Sequence, residues 1–413
     1  LGVPIPESGN RGGTLWVTFS EIASSSDAAV TVRTTTAVGN GRAGLAYPGV
    51  TKIGALNGPA YLCGLRQNAT DRSNVAFQNL GSTTEGSITL QVTVYSGESS
   101  FSATLPDITL APGGFYQITG VLSSNGLSLQ NGYVRVVKKN GTAPYFAYGV
   151  VNDQANSDGS FVPPQLEQAS SVTGITLPVI VEASPFSSEL VVTNWSTQTR
   201  NIQFGFVAEA LQTADKTARF SRTLQPGEQV IIPELVQYLR DQGVEGVGPG
   251  GPLYAGALFV TSEDGDCQGV FVGARTSAPG GGGRYGLFYP GVPYGSASTS
   301  SAWIFGLQQN AENRSNLALV NTGEKDDSAD AFMIELFNGV TGQPAGGILL
   351  NLNARKWTQI GTILAQSGPG VTQGYARVTR ILGTNPFVAY GVNNDGSQPN
   401  ERTGDGAFLI SFP

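Results

Sequence analysis

Two stretches carry the same chemistry-bearing side chains. GLRQNATDRSNVAFQNLG (64–81) returns as GLQQNAENRSNLALVNTG (306–323), displaced by 242 residues. The shared set is Gln67, Asn68, Arg72 and Asn74 in the first, and Gln309, Asn310, Arg314 and Asn316 in the second, with Ser73 and Ser315 beside them. Side-chain amides and guanidinium groups supply forked hydrogen bonds, which suit a sugar or a protein partner. They suit equally a connection between sheets. There Asn and Ser bond backbone groups left unpaired by a turn, and the arginine reaches a carboxylate or carbonyl. The middle of the chain has a shorter loop, SPFSSELVVTN (184–194), with no arginine. Segments with and without the motif alternate, so we read it as an interdomain joint.

Other candidate chemistry is sparse. The chain has no histidine, which removes the usual general base, the Ser-His-Asp and Cys-His arrangements and most zinc sites. NDQANSDG (152–159) places Asp153, Asn156 and Asp158 before a glycine, as a calcium loop might, but Gln154 and Gln165 stand where acids are wanted. The third copy offers Asp395 and Asp405 across a longer insert. PGGGGRYG (279–286) lacks the Lys-Ser/Thr of a phosphate loop. Asn68, Asn140, Asn194 and Asn313 head formal glycosylation sequons. A glycosidase needs only two carboxylates, yet the acids are scattered, EKDD (324–327) falls in a loop and no acid pair recurs among the copies. Trp16, Trp195, Trp303 and Trp357 fall mostly at apolar strand or helix positions. The expectation is a protein that is not an enzyme and needs no cofactor or metal.

The elements that would position these residues follow from composition and period. In 413 residues only 13% are charged, and 56 glycines and 23 prolines are dispersed among β-formers, the pattern of many short strands. A net charge of -7 argues against nucleic acid, which calls for a basic face. No apolar run reaches the roughly 18 residues that span a bilayer. The start, LGVPIPESG, has no basic n-region or apolar h-region and reads as a processed product. Cys63 and Cys267 are not at equivalent positions and are expected to be separate thiols.

The offset of 242 extends well beyond the opening motif. GRAGLAYPGV (41–50) returns as GRYGLFYPGV (283–292), NGYVRVV (131–137) as QGYARVT (373–379), and FAYGVVND (146–153) as VAYGVNND (388–395). A weaker half-period copy lies between, so the chain divides into 1–50, 51–173, 174–290 and 291–413. Within a copy, ITLQVTVYS, IQFGFVAEA and FMIELFNG alternate apolar and polar residues, so one face is buried. A short helix is clearest in PELVQYLRDQG (233–243), with Pro233 in the first turn and Gly243 as the C-terminal cap. NG at 140–141 and DG at 264–265 read as turns of a closing hairpin. About seven short strands per roughly 120 residues predict an all-β chain of tandem immunoglobulin-like antiparallel β-sandwiches, each with one short helix.

One closing hairpin is left over at the start, with LWVTF and AVTVRT as its strands. An isolated hairpin is marginal in water. It marks the end of a longer array, docks on a neighbouring repeat, or pairs with another subunit. The last option makes Leu15, Trp16, Val17, Phe19, Val30 and Val32 an assembly interface and the partner a second copy, added head to tail.

GLRQN…RSNVAFQNLG, LAPGGFYQI, GYVRV and FAYGVVND…DGSF together resemble repeats found in secreted and surface proteins of environmental bacteria. The resemblance covers nearly the whole chain. It implies an exported, multi-repeat, extracellular or cell-surface protein and supplies no catalytic residues. The function expected is that of a structural filament or stalk subunit. The alternative is an adhesin or carbohydrate-binding module with surface glycans as partners.

Overall fold

The computed structural model describes residues 12–20, 28–167, 171–208, 217–251, 253–366, 370–399 and 401–412. Its architecture is all-β, with several antiparallel sheets and few, short helices. A hairpin comes first, β1 (Thr31–Val38) with β2 (Gly41–Pro48). Residues 12–19 have no regular structure, so LWVTF is not a strand. AVTVRT instead pairs forward with GRAGLAYP. The reason is local. Asn40 and the flanking glycines make a tight turn, whereas Leu15, Trp16, Val17 and Phe19 pair with no strand among the described residues and stay exposed.

The first unit runs β3 (Ala60–Arg66), β4 (Asp71–Asn79), β5 (Ile88–Ser96), β6 (Ser102–Thr104), β7 (Ile108–Leu110), β8 (Phe115–Ile118), β9 (Asn131–Asn140), β10 (Tyr145–Asp153), β11 (Gly159–Val162) and β12 (Gln165–Leu166). Sheet I is ordered β12-β3-β9-β5-β6, with β7 also on β5; sheet II is β11-β10-β4-β8. Ile88, Leu90, Val92 and Val94 of β5 meet Val75 and Phe77 of β4 in one core. Strict alternation makes this possible, since every second side chain of β5 points inward. Asn140-Gly141 does not turn a hairpin. β9 and β10 each bury alternate residues, Val134 and Val136 against Tyr145 and Ala147, so they lie in opposite sheets and the turn arches over the core. The true closing hairpin is β10 with β11.

The second unit repeats the plan with β13 (Ile175–Ala183), β14 (Phe186–Asn194), β15 (Arg200–Ala208), β16 (Thr217–Leu224), β17 (Gln229–Ile232), α1 (Leu235–Asp241), β18 (Tyr254–Ser262), β19 (Val270–Gly280), β20 (Gly283–Pro290) and β21 (Val292–Pro293). Its sheets fuse where Glu182 and Ala183 of β13 pair Ser187 and Phe186 of β14. Leu235, Val236 and Leu239 of α1 enter the core. Gly243, at φ 68, follows the helix as expected, but Pro233 precedes the first turn rather than entering it. The other units carry 3-10 turns at Val121–Gly126 and Ile363–Gln366.

The third unit has β22 (Ser301–Gln308), β23 (Asn313–Asn321), β24 (Asp330–Asn338), β25 (Pro344–Leu352), β26 (Trp357–Ile360), β27 (Gln373–Leu382), β28 (Phe387–Asp395), β29 (Gly406–Leu409) and β30 (Ser411–Phe412). Sheet I is β25-β24-β27-β22-β30 and sheet II is β26-β23-β28-β29. In an immunoglobulin domain strands 2 and 5 pair in one sheet and 3 and 6 in the other. The same pairs occur here (β4 with β8, β5 with β9). The first strand, however, lies beside the sixth (β3 with β9), and the seventh beside the second (β10 with β4).

Sheet I of each unit receives sheet II of the next. Tyr61, Cys63 and Tyr133 pack on Val191, Phe271 and Phe288. Ala318, Val320 and Trp357 join the core of the second unit.

Candidate functional site

The closing strands β2, β11, β20 and β29 meet at one hub, each packed between two others. The first hairpin therefore closes a ring. Its contacts on the third unit repeat, 242 residues away, those of β19–β20 on the first. The Arg42 N–H donates to Asp395 Oδ2 at 3.1 Å, as Arg284 N–H does to Asp153 Oδ2 at 2.9 Å. The Gly44 N–H donates to Asp405 Oδ2 at 2.8 Å, as Gly286 N–H does to Asp158 Oδ2 at 2.7 Å. Arg33 donates to Asn313 Oδ1 at 3.1 Å, and Arg275 stands 3.6 Å from Asp71. The repeated glycines have a cause here. A Cβ on Gly41 would lie 2.0 Å from Asp395 Oδ2, and one on Gly283 2.1 Å from Asp153 Oδ1.

At the centre two carboxylates share one amide. Gly44 N–H also reaches Asp158 Oδ1 at 3.1 Å, so Asp158 and Asp405 face each other across it. Both are buried, and Asp405 Oδ1 has no hydrogen-bond partner among the described residues. Burial pushes Asp158 up to about 7. Burial and the neighbouring Asp158 hold Asp405 well above the usual carboxylate range. Arg33, 3.5 Å from Asp405 Oδ2, opposes the shift without cancelling it. The arrangement suits two acids that keep a proton between them. Beside this pair, an apolar cleft of about 330 Å³ is lined by Leu45, Phe161, Leu287 and Phe408, one from each closing strand, among other apolar residues. No charged side chain lines it, and its polar side chains are the hydroxyls of Thr31, Thr51, Ser160 and Ser411.

The joint between the first two units is polar at its centre. β3 bulges between Leu62 and Leu65, which frees the Gly64 N–H and nearby carbonyls. Gln229 fills the gap. Its Oε1 accepts from Gly64 N at 2.7 Å, and its Nε2 donates to Gly132 O and Asn131 Oδ1, each at 2.7 Å. Arg66 donates to Glu189 at 2.7 Å. Burial alone would raise the Glu189 carboxyl, but the Arg66 charge lowers it below its usual range. Trp195 stacks on Tyr61 at 4.5 Å.

The predicted motif residues act mostly inside their own units. Asn68 Oδ1 accepts from Thr70 N and Asp71 N, each at 2.8 Å, and Asn310 Oδ1 accepts from Glu312 N and Asn313 N, each at 2.9 Å. Asn74 and Asn316 accept from Gly120 N and Thr362 N before the 3-10 turns. Arg314 donates to the Gly396 and Gln398 carbonyls, while Arg72 Nε is buried without a partner among the described residues. Gln67 and Gln309 pair through their backbone amides to Gln130 O and Thr372 O. These side chains thus join the two sheets of one unit, while Gly64 and Arg66 of the same stretch bond Gln229 and Glu189 of the next unit, and Asp71 and Asn313 reach the adjoining hairpins. Of the proposed hairpin interface, Leu15, Trp16, Val17, Phe19 and Val32 are exposed and Val30 is half-buried. The carboxylates of Asp153 and Asp158 are engaged by backbone amides. Among the described residues no group of three or more Cys, Asp or Glu could hold a metal ion. Cys63 and Cys267 are free and buried, and burial pushes both thiols up, away from nucleophilic reactivity. No helix among the described residues is long and apolar enough to cross a membrane.

No protein-family model and no curated protein matches the chain.

One surface was not singled out from the sequence. The outer face of sheet I in the third unit presents Trp303, Phe305, Phe337, Tyr375 and Phe412, all half-buried. Arg377 lies over Trp303, 5.3 Å from its ring centre. These positions repeat Tyr61, Cys63, Tyr95, Tyr133 and Arg135 of the first unit, where Tyr61 and Tyr133 are buried under the second. The signal was available: AYLCGL and AWIFGL are apolar on both faces of the strand, the pattern of strands covered on both sides.

Proposed function

We propose that this chain is a non-enzymatic structural protein of an exported or cell-surface assembly, built from three sandwich units. We further propose that each unit, with boundaries near 51–173, 174–290 and 291–413, is a variant of the immunoglobulin-like sandwich with its first and seventh strands exchanged. The observation that carries the structural reading is where the buried polar groups go. Asp158, Asp405, Arg275, Glu189 and Gln229 are spent on joints between units, and no pair of them is left facing an open cleft as a catalytic acid and base would be. The sequence pointed to growth through the first hairpin. We move the assembly contact away from it, because β2 is engaged on the first and third units and β1 reaches the third through Arg33. The proposal therefore describes a compact particle rather than beads on a string. Small-angle scattering tests it. A closed arrangement of 413 residues expects a radius of gyration of about 22 Å, and a value half as large again, with the profile of a rod, would exclude the closed form. Electron microscopy of native material tests the assembly itself.

A second reading, carbohydrate binding, is favoured by the aromatic face of the third unit. There Arg377 covers Trp303, which takes up part of the ring face that a sugar would stack on. Binding in a glycan screen, lost on Trp303→Ala, would favour that reading over the structural one.

A further inference from the structure

We propose that the outer face of sheet I in the third unit is the contact through which two copies of this chain associate face to face about a twofold axis. Three observations carry the inference. The first is the internal repeat. In the first unit this face is covered by a sheet, with Tyr61 and Tyr133 buried, and Gln229 closes the bulge at a buried Gly64. In the third unit Trp303 and Tyr375 are half-exposed and Gly306, at the same bulge, is exposed. Leu349 of β25, paired across from Met333, extends the face and is 62% exposed.

The second is what blocks the alternative. A further unit added in the register of the internal joints would bring its own closing hairpin to the hub. That place on the third unit is held by β1 and β2, through Arg42, Gly44 and Arg33. Open-ended addition of whole units is therefore obstructed by the chain itself, and a closed pair remains, the commonest symmetric arrangement.

The third is charge. The chain carries -7, but on this face Arg377 is paired with Glu335 at 2.7 Å. Two such faces meet without a net like-charge penalty. Each of the five rings keeps at most about a third of its ~200 Å² exposed, so with Met333 and the exposed Leu349 they supply roughly half of the ~800 Å² per partner that stable interfaces bury.

Sedimentation velocity on the full chain, from about 0.1 to 100 µM, tests the proposal. A monomer–dimer equilibrium in the micromolar range is expected. Trp303→Glu should weaken it at least tenfold. Leu349→Lys, a change at an exposed site that leaves the core intact, should weaken it in the same direction, and an unchanged circular dichroism melt shows that the fold survives. A monomer at the highest concentration overturns the proposal. So does a dimer that both substitutions leave intact, or an open-ended series of larger species. A compact monomer in scattering with no dimer in sedimentation would sink this contact while leaving the closed particle standing.

Discussion

Replacing Asp405 by Asn tests the hub most sharply. In the folded chain Asp158 and Asp405 compete for one amide, and burial raises Asp158 from 3.8 to about 7. The sign follows from proton counting. Between about pH 4 and 7 the unfolded chain has released protons that the folded pair retains, so this part of the stability is whole below pH 4 and is lost as pH rises to 7. At about 1.4 kcal/mol per tenfold change, Asp158 alone accounts for about 4 kcal/mol of the loss, a share set by its burial that the variant keeps, and the variant removes the share that Asp405 adds. An asparagine keeps an acceptor for Gly44 N–H and removes the second titrating group beside Asp158. The variant should match the native chain near pH 4 and exceed it at pH 8, by about 1 °C for each kcal/mol that the Asp405 charge costs in a chain of this length that melts in one transition. Thermal melts of both proteins from pH 4 to 8 give the difference directly. A difference that does not change with pH, or a variant that is the weaker one at pH 8, would refute the shared-proton account.

Other expectations follow from the joints and the core. Gln229→Ala leaves the Gly64 N–H and two acceptors unmet in a buried joint and should cost about 2–3 kcal/mol, read by urea unfolding. Glu189→Ala strands the buried Arg66 and should cost about 3–5 kcal/mol at pH 7. Because the Glu189 carboxyl is held low, the native contribution should fade as pH drops below about 4, so native and variant melts should converge there. Gly283→Ala would set a Cβ against Asp153 and should loosen the β19–β20 hairpin, seen as faster amide exchange at Gly286. Phe77→Ala, at the centre of the first core, should cost about 3–5 kcal/mol, measured in the same urea titration.

Much of the architecture was legible because it depends on local period. The alternation of ITLQVTVYS places Ile88, Leu90, Val92 and Val94 on one face whatever the partner, and the offset of 242 gives the copies. The hairpins were misassigned because Asn140-Gly141 has the residues of a tight turn, and only the burial of β9 and β10 on opposite sides of one core shows that it crosses between sheets. The motif loop was half legible. Its Asn and Ser side chains do bond backbone, but within a unit. The real joints were illegible because their partners are remote, as Asp158 and Gly44 are. Gln229 left a faint trace, since the equivalent positions in the other copies are Phe115 and Trp357. A lone amide where two copies keep aromatics marks a different kind of contact.

The first hairpin also sets an order in time. Its partners Asp395, Glu401, Thr403 and Asp405 lie within the last 19 residues of the chain. During synthesis this hairpin must therefore wait, with one side unsatisfied, until residues 395–405 have emerged. The first two sandwiches can each form from nearby strands before then, and the third closes with the same segment, but the clasp is a contact of very long loop closure. It is the last to form. It is also the natural place for the particle to begin to open, at Arg33 and Gly44, while the sandwich cores remain intact.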